Sequence, residues 1–380
     1  MTIKTGLDLT ELAPRFRILD QLFVSLMKNR LNLATRVAAY KILHNDRIVR
    51  REVEVARLEK MCEQAVELGM DKNFMISLGY PIIGESCKVQ IELYQAAAEA
   101  VKKFVEPTTD EELHEFYRAN LLALTGLVAE TYDEKYDSAH YATHDYIGYE
   151  LENIESEVSS LTDLDTVLDL GCATGRMTLA LASRFKKAIG YDLSPHMLQL
   201  ARKKADEKGV VNVTYEEVDL EGPLPLPDAS VSFVVMNMGT ASDVRNLEGL
   251  MREVRRVLQR GGKFMFSFYN KEALVYAWDF LPWPVGLVAE INTTLHCLEV
   301  NIKGTLLSIY ARPYTVEEID GLIPHGMSAT EVSTYPTISA ILPHDMLHDN
   351  PLAKENVAEL DKALASSNKG AYIVVTGVRN

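Results

Sequence analysis

The stretch Val167-Leu168-Asp169-Leu170-Gly171-Cys172-Ala173-Thr174-Gly175, followed by Tyr191-Asp192, constrains this chain more than any other part. A short apolar strand (Thr166 to Leu170) carries an acid near its end and enters a loop with glycine at both ends. A helical pattern covers Met177 to Ser183, and a second strand, Ala188 to Tyr191, closes on Asp192. Gly171 lets the backbone turn sharply and approach a ligand with no Cβ in the way. Asp192 falls about 20 residues after that glycine, where a carboxylate can accept both ribose hydroxyls of a nucleoside. A dinucleotide fingerprint needs G-x-G-x-x-G, which seats a pyrophosphate on a helix N-terminus. Here the spacing is G-x-A-x-G, and Arg176-Met177-Thr178 supplies no third glycine. Asp169 would repel a phosphate and suits a cation.

A strand, loop and downstream acid of this kind resemble the class I S-adenosylmethionine-dependent methyltransferases, whose loop cradles a cationic amino-acid tail and sulfonium. The resemblance covers about Tyr136 to the C-terminus and implies an α/β Rossmann-like domain with a seven-stranded sheet. S-adenosyl-L-methionine is the implied cofactor. Its implied contacts are Asp169, Gly171, Cys172, Ala173, Thr174, Gly175, Asp192, Leu193, Met197, Asp219, Leu220 and Asn237. Later segments fit the same fold. Val213 to Val218 reads as a strand closing on Asp219, where the family places an acid or amide against adenine. Val231 to Asn237 reads as the fourth strand, with Leu247 to Leu258 as a helix. The turn Arg260-Gly261-Gly262 precedes a strand at Lys263 to Ser267, and Ala371 to Thr376 suits the antiparallel last strand.

At 380 residues the chain has room for two domains. No apolar run is long enough to span a membrane, and the N-terminus lacks the basic-then-apolar pattern of a signal peptide, so a cytoplasmic location is expected. Cys62, Cys87, Cys172 and Cys297 show no C-x-x-C spacing, which indicates neither a zinc site nor a disulfide framework. The net charge of −15 argues against a nucleic-acid substrate, which needs a basic face. That charge is uneven. Residues 1–105 hold 16 basic and 13 acidic side chains, the remainder 23 and 41. Only the first third has basic character, and it can hold a small anion.

In that third, Leu12, Phe16, Leu19, Phe23, Leu26, Arg30, Leu33, Val37 and Tyr40 recur at spacings of four and three, one stripe along a long helix. Arg30 interrupts the stripe. It either snorkels or pairs with a helical neighbour, or it meets a carboxylate ligand. Lys41 continues the helix. A second helix is expected from about Val49 to Leu68, stopped by Gly69-Met70-Asp71, and a third from about Asn73 to Phe104, kinked at Pro81. Ser86 and Gln90, four apart, share a face of that helix.

Over about Leu12 to Gln90 these residues resemble the all-α chorismate mutases: Asp20, Arg30, Ala34, Lys41, Glu54, Gly69, Asp71, Ser86 and Gln90 fall in that family's pattern. The resemblance implies a dicarboxylate pocket of Arg30, Lys41, Arg51, Glu54, Ser86 and Gln90, and a homodimer built on the first helix. Three departures weaken the pocket. Val53 stands where the family keeps an arginine, Arg50 where an acid is usual, and Ala13 where the first-helix arginine belongs. A local shift placing Arg51-Glu52 at the arginine–glutamate position is an alternative. One lost charge-assisted bond, about 1.5–3 kcal/mol, would slow a rearrangement roughly 10- to 150-fold. The expectation is therefore a degenerate pocket for a shikimate-pathway acid or a structural dimer module.

Glu106 to Glu112 reads as the boundary, so three regions are expected: residues 1–105 helical, 106–150 linker and lid, 151–380 methyltransferase-like with an insertion at about 269–322. A helix from about Glu111 to Glu130 leads to Tyr132-Asp133-Glu134-Lys135-Tyr136, a lid able to lay an aromatic on the sulfonium. Tyr136, His140 and His144 are the candidate general bases; no metal is expected. In the insertion, Cys297 to Lys303 and Thr305 to Tyr310 read as a hairpin turning at Gly304. Trp278, Trp283 and Asn301 also lie there, and Tyr310, Arg312 and Tyr314 are candidate acceptor contacts. The expected activity is methyl transfer to N or O of a small molecule. Alternatives are a bifunctional chorismate mutase or isochorismate lyase with a methyltransferase, and a methyltransferase gated by a ligand-sensing domain.

Overall fold

The computed structural model describes residues 9–43, 46–102, 110–134, 141–277, 289–292, 296–302, 305–342, 347 and 351–380. The chain divides into two compact units, one made mainly of residues 1–107 and one mainly of residues 108–380.

The first unit is three helices: α1 (Leu9–Leu43), α2 (Arg51–Glu67) and α3 (Lys72–Lys102). Gly69, at φ 75°, ends α2 as expected, its neighbours folding back so that Gly69 N donates to Val66 O and Met70 N to Ala65 O. Asp71 then caps α3 by accepting from Phe74 N at 2.8 Å. Pro81 lies inside α3 without ending it. The side of α1 that is buried carries Ala34, Ala38 and Lys41, at helical spacing. The predicted apolar stripe lies elsewhere: Phe16, Leu19, Phe23, Leu26, Leu33, Val37 and Tyr40 are all exposed, Leu26 by 66%. Arg30, half-buried, belongs with the buried side.

The second unit opens with α4 (Asp110–Val128), a 3-10 turn (Ala129–Thr131) and α5 (Tyr141–Ser159). Its strands and helices then alternate: β1 (Thr166–Leu170), α6 (Arg176–Ala182), β2 (Lys187–Asp192), α7 (Pro195–Glu207), β3 (Val213–Glu217), β4 (Val231–Met236), α8 (Leu247–Val257) and β5 (Leu258–Tyr269). After the short α9 (Leu274–Ala277) come β6 (Ala289–Asn292), β7 (Cys297–Ile302) and β8 (Thr305–Tyr310), then α10 (Val316–Leu322), β9 (Met327–Tyr335), α11 (Pro351–Ala363) and β10 (Tyr372–Arg379). The main sheet has seven strands in the order β3-β2-β1-β4-β5-β10-β9, parallel except for β10, which runs antiparallel to both neighbours. All six residues of β4 are buried, as befits a central strand covered on both faces. In α8, Leu247, Leu250, Met251, Val254 and Val257 supply the matching apolar face, and Asn246 caps its start.

Three differences from the sequence reading matter. β5 begins at Leu258, and Gly261 (φ 74°) lies in an irregularity within the strand rather than in a turn before it. The helix α5 crosses residue 150, so the α/β unit starts earlier than residue 151; Tyr146, Ile154 and Val158 belong to its core. The insertion's hairpin is present as β7–β8 with β6 alongside, forming a separate three-stranded sheet. Gly304, Trp278 and Trp283 lie outside the described residues.

Candidate active site

Gly171 (φ 74°), Ala173 (φ 45°) and Gly175 (φ 75°) carry left-handed backbone through the loop between β1 and α6. A Cβ on Gly171 would stand 2.5 Å from Thr240 Cγ2, and one on Gly175 2.5 Å from the Tyr215 hydroxyl. The loop is pinned at its start by Gly171 N and Cys172 N, which donate to Tyr191 O at 2.8 and 2.9 Å. Asp192 organises it further, accepting from Ala173 N and Ser194 N, each at 2.8 Å. Burial pushes its carboxyl up, against the backbone donors. A carboxylate has about four lone-pair sites, so Asp192 keeps acceptor capacity for a hydroxyl.

A cavity of about 270 Å³ lies against this loop. Ten of the twelve expected cofactor residues line it: Gly171, Cys172, Ala173, Thr174, Asp192, Leu193, Met197, Asp219, Leu220 and Asn237. Asp169 and Gly175 do not. Asp169 is fully buried beneath the loop; its Oδ2 accepts from Thr178 Oγ1 at 2.6 Å and its Oδ1 has no hydrogen bond. Burial pushes it to about 7. A second buried carboxyl, Glu150 on α5, accepts from Met238 N at 2.9 Å and is likewise raised to about 7 by burial. Nothing in the local sequence marks Glu150; only the tertiary packing brings it under the loop after β4.

The cavity's other walls come from elements that read weakly in sequence. α4 presents His114, Tyr117, Arg118, Leu121, Leu124, Thr125 and Val128. These recur at three and four, a spacing that marks one helical face once it is sought. Leu298, Ile309 and Tyr310 line it from the insertion sheet, and Asn120 Nδ2 ties α4 to Ser308 O at 2.8 Å. Tyr132, in the segment read as a lid, also lines the cavity. The next residue, Asp133, latches that lid to the loop: Thr174 Oγ1 and Lys204 Nζ both donate to it at 2.6 Å, and Arg176 lies 3.5 Å away. Burial raises the Asp133 carboxyl, but the Lys204 and Thr174 hydrogen bonds and the nearby cations outweigh it and leave the group below its usual range.

Other expectations fare differently. Tyr136 and His140 lie outside the described residues, as does the Asn301 side chain. His144 is exposed on α5 and does not line the cavity. Tyr146 is wholly buried, stacked on Tyr372 at 4.1 Å. Arg312 pairs with Glu318 at 3.3 Å and lies over the Tyr314 ring, which is core. Of the three insertion candidates, Tyr310 lines the cavity. Among the described residues no cluster of metal-ligating side chains occurs, and no helix is long and apolar enough to cross a membrane.

In the helical unit, Lys41, Arg51, Glu54, Ser86 and Gln90 are all buried and Arg30 is half-buried. Arg30 Nε donates to Ser86 Oγ at 3.0 Å, and Lys41 Nζ to Gln90 Oε1 at 2.9 Å and to Ile48 O. Burial lowers the Lys41 ammonium, helped by Arg50. Glu54 accepts from Arg57 Nη1 at 3.0 and 3.1 Å. Glu52 is exposed, so no register shift brings it inward; Arg51 is buried one turn before Glu54 on the same face.

A mostly parallel sheet whose first loop and acid-ended second strand face one cavity is the arrangement of a nucleoside-binding α/β domain. Residues 167–262 match the family model for a methyltransferase domain, and residues 15–91 match that for chorismate mutase type II. The chain thus joins a helical domain of the chorismate mutase type II family to a Rossmann-like methyltransferase domain. Among relatives, an uncharacterized methyltransferase, YcgJ, of Bacillus subtilis is 37% identical over 101 residues, covering 26% of this chain and 38% of its own length. A demethylmenaquinone methyltransferase of Tropheryma whipplei is 33% identical over 106 residues, 28% of this chain and 42% of that protein. The ubiquinone/menaquinone biosynthesis C-methyltransferase UbiE of Hydrogenovibrio crunogenus is 30% identical over 159 residues, 39% and 62% respectively. The chain thus spans between 38% and 62% of these relatives' length. The solved structure of the B. subtilis YcgJ protein aligns with a TM-score of 0.38 at 18% identity, over 60% of this chain and 99% of that one.

The match to a methyltransferase domain implies S-adenosylmethionine as the cofactor, and the residues present fit it. The loop has no space for side chains at Gly171. Asp192 faces the cavity with spare acceptor capacity, and the uncompensated Asp169 oxygen beneath favours a cation over a phosphate.

Proposed function

We propose that this protein is an S-adenosylmethionine-dependent methyltransferase acting on a small molecule. The observation that carries the reading is the acid-organised glycine loop opening on a capped cavity, with Asp192 at its edge. Bound, the cofactor supplies an electrophilic methyl group whose departure leaves a neutral thioether. The chain's own contribution is mainly position. Asp192 holds a ribose, Asp219 and Leu220 flank the base, Asp133 keeps the lid closed through Thr174 and Lys204, and Glu150 fixes the loop carrying Asn237 by accepting from Met238 N. Holding two reactants in line can itself lower a barrier by about 7–11 kcal/mol. The acceptor end is walled by α4 and the insertion sheet, and similarity to a demethylmenaquinone methyltransferase and a ubiquinone/menaquinone C-methyltransferase favours carbon of a quinol-like ring at least as much as N or O as the atom methylated. Calorimetric titration with S-adenosylhomocysteine tests the core reading: binding that Asp192→Ala weakens supports it, and absence of binding overturns it.

The helical domain is proposed as a homodimerisation module that also binds a small dicarboxylate. The exposed stripe on α1 supports the dimer, since a run of exposed large apolar side chains on a helix of 35 residues calls for a partner. Buried Lys41, Arg51, Ser86 and Gln90, beside Arg30, support the acid pocket; Glu54, engaged by Arg57, and the absence of arginine at position 53 disfavour strong mutase activity. Following chorismate absorbance with pure protein tests this, and decay that persists unchanged in Arg30→Ala removes the pocket from it. A cytoplasmic location remains part of the proposal, consistent with four buried free cysteines.

A further inference from the structure

The loop after β4 turns through left-handed backbone at Met238 (φ 53°) and Gly239 (φ 83°), and a 3-10 turn (Thr240–Ser242) then brings Asp243 to the cavity wall. This placement is held from several elements. Gly239 N donates to Ser267 Oγ at 2.6 Å, Tyr269 N to Ser242 Oγ at 2.9 Å and Arg312 N to Ser242 O at 2.8 Å. Downstream, Glu221 accepts from Arg245 N and Asn246 N at 2.6 and 2.9 Å. A Cβ at position 239 would stand 2.4 Å from Tyr269 Cε1, so glycine there lets the Tyr269 ring lie against the loop. From that position the Tyr269 hydroxyl donates to the Asp243 carboxyl, while Asp243 Oδ1 is buried with no hydrogen bond. Burying a polar group without a partner is costly, and a fold that braces one at a cavity wall has a use for it.

The surroundings say what that use is. Tyr117 on α4 and Tyr310 on β8 meet edge to face at 6.2 Å, and with Tyr269 they give the acceptor end flat aromatic walls. The charged groups that act on Tyr310 at this wall are Arg312 after β8, Glu221 after β3, Arg245 and Asp243 itself; Glu221 is engaged by the backbone and Arg312 by Glu318. Resting on the methyltransferase reading, we propose that Asp243 is a catalytic residue that accepts the proton of a phenol-type acceptor, an acidic hydroxyl on a flat ring. The acceptor's O–H bond breaks towards the Asp243 carboxylate, which becomes a carboxylic acid. The electron pair released, on oxygen or delocalised to an ortho ring carbon, forms the bond to the methyl group; where carbon is methylated, the C–H bond at that carbon then breaks and its proton passes to the oxygen, restoring the aromatic phenol. The methyl–sulfur bond breaks with its pair kept by sulfur, and Asp243 returns the proton to water. Burial holds Asp243 well above the usual carboxylate range, which makes its anion a stronger base.

The test uses 4-nitrophenol, whose ionisation is read from its visible absorbance, bound to full-length protein saturated with S-adenosylhomocysteine. With Asp243 adjacent, probe and carboxyl share protons, so the bound probe ionises in two steps separated by more than about one pH unit. Asp243→Asn collapses these to a single step. Tyr269→Phe keeps both steps and moves the upper one to higher pH, because it removes a donor to the carboxylate; this variant carries the test should Asp243→Asn fail to fold by circular dichroism. Identical curves for wild type and the variant measured overturn the proposal, as does failure of the probe to bind the complex. Wild type that does not bind S-adenosylhomocysteine in a prior titration overturns the methyltransferase reading instead, and this proposal with it.

Discussion

In the α/β domain every side chain of β4 is buried, and the buried carboxyls Asp169 and Glu150 lie beneath loops that border the cavity, whereas α1 of the helical domain exposes Phe16, Leu19, Phe23 and Leu26 and buries Lys41. The sheet closes its own core: α5 and α6 cover one face through Tyr146, Ile154 and Met177, and α8 covers the other. Three helices cannot do the same when their longest member turns its apolar stripe away from the rest. The difference teaches that the two domains carry their function in different currencies. One positions groups by rigid packing, and the other leaves a long apolar stripe exposed and holds its buried Lys41 with Gln90 and a backbone carbonyl.

The largest expected effect breaks the helical side of this contrast. Replacing Leu19 and Phe23 by Asp removes two large side chains from each face of a symmetric dimer, about 1.5–3 kcal/mol apiece. Light scattering should then shift from twice 42.5 kDa to the monomer mass; an unchanged mass removes the dimer proposal. Next comes the buried carboxyl at position 150. Its folded-state value is raised from 4.5 to about 7, so its share of stability is present below about pH 4.5 and is lost as pH rises through 7. Glu150→Gln should therefore be more stable than wild type at pH 8 by about 2–3 kcal/mol, with the advantage gone near pH 4.5. Urea unfolding at both pH values measures this, and a pH-independent difference refutes it.

Smaller effects sharpen the loop side. Asp192→Ala removes the acceptor for two backbone N–H groups and a ribose hydroxyl, and should weaken S-adenosylhomocysteine about 10- to 150-fold by calorimetry. Asp133→Ala should weaken it less, about 3- to 10-fold, because each of its partners keeps access to water. Asp133 lies below its usual range in the folded state, so its contribution is present above about pH 4 and is lost as pH falls through the depressed value. Binding that is equally pH-dependent in wild type and Asp133→Ala between pH 3 and 5 would dismiss the latch.

How much of this was legible beforehand differs along the chain for physical reasons. The Gly171 loop and Asp192 are local: a turn needing left-handed backbone demands glycine at a fixed distance from strand and helix, so the spacing shows it. Glu150, Asp243 and the α4 face are not. Glu150 reaches Met238 across 88 positions, and a lone glutamate in an amphipathic helix looks like any solvated acid. The α1 stripe marks a different limit. Its periodicity was plain, but periodicity states that a face must be covered, not by which chain, and Ala34 and Ala38 won the contact within this one because small side chains admit close helix approach.

What the sequence alone determined is therefore whatever rests on backbone stereochemistry and near-neighbour spacing: the order of strands and helices around the glycine loop, the acid that closes β2, and the polar residues of the helical domain. Only the tertiary structure decided which buried carboxyls share the cavity, that His144 points to solvent, and that Tyr314 is core while Tyr310 lines the cavity. The reason is that burial belongs to the assembled fold. A carboxyl's proton affinity and a ring's exposure depend on neighbours brought from distant positions, and no local pattern records them.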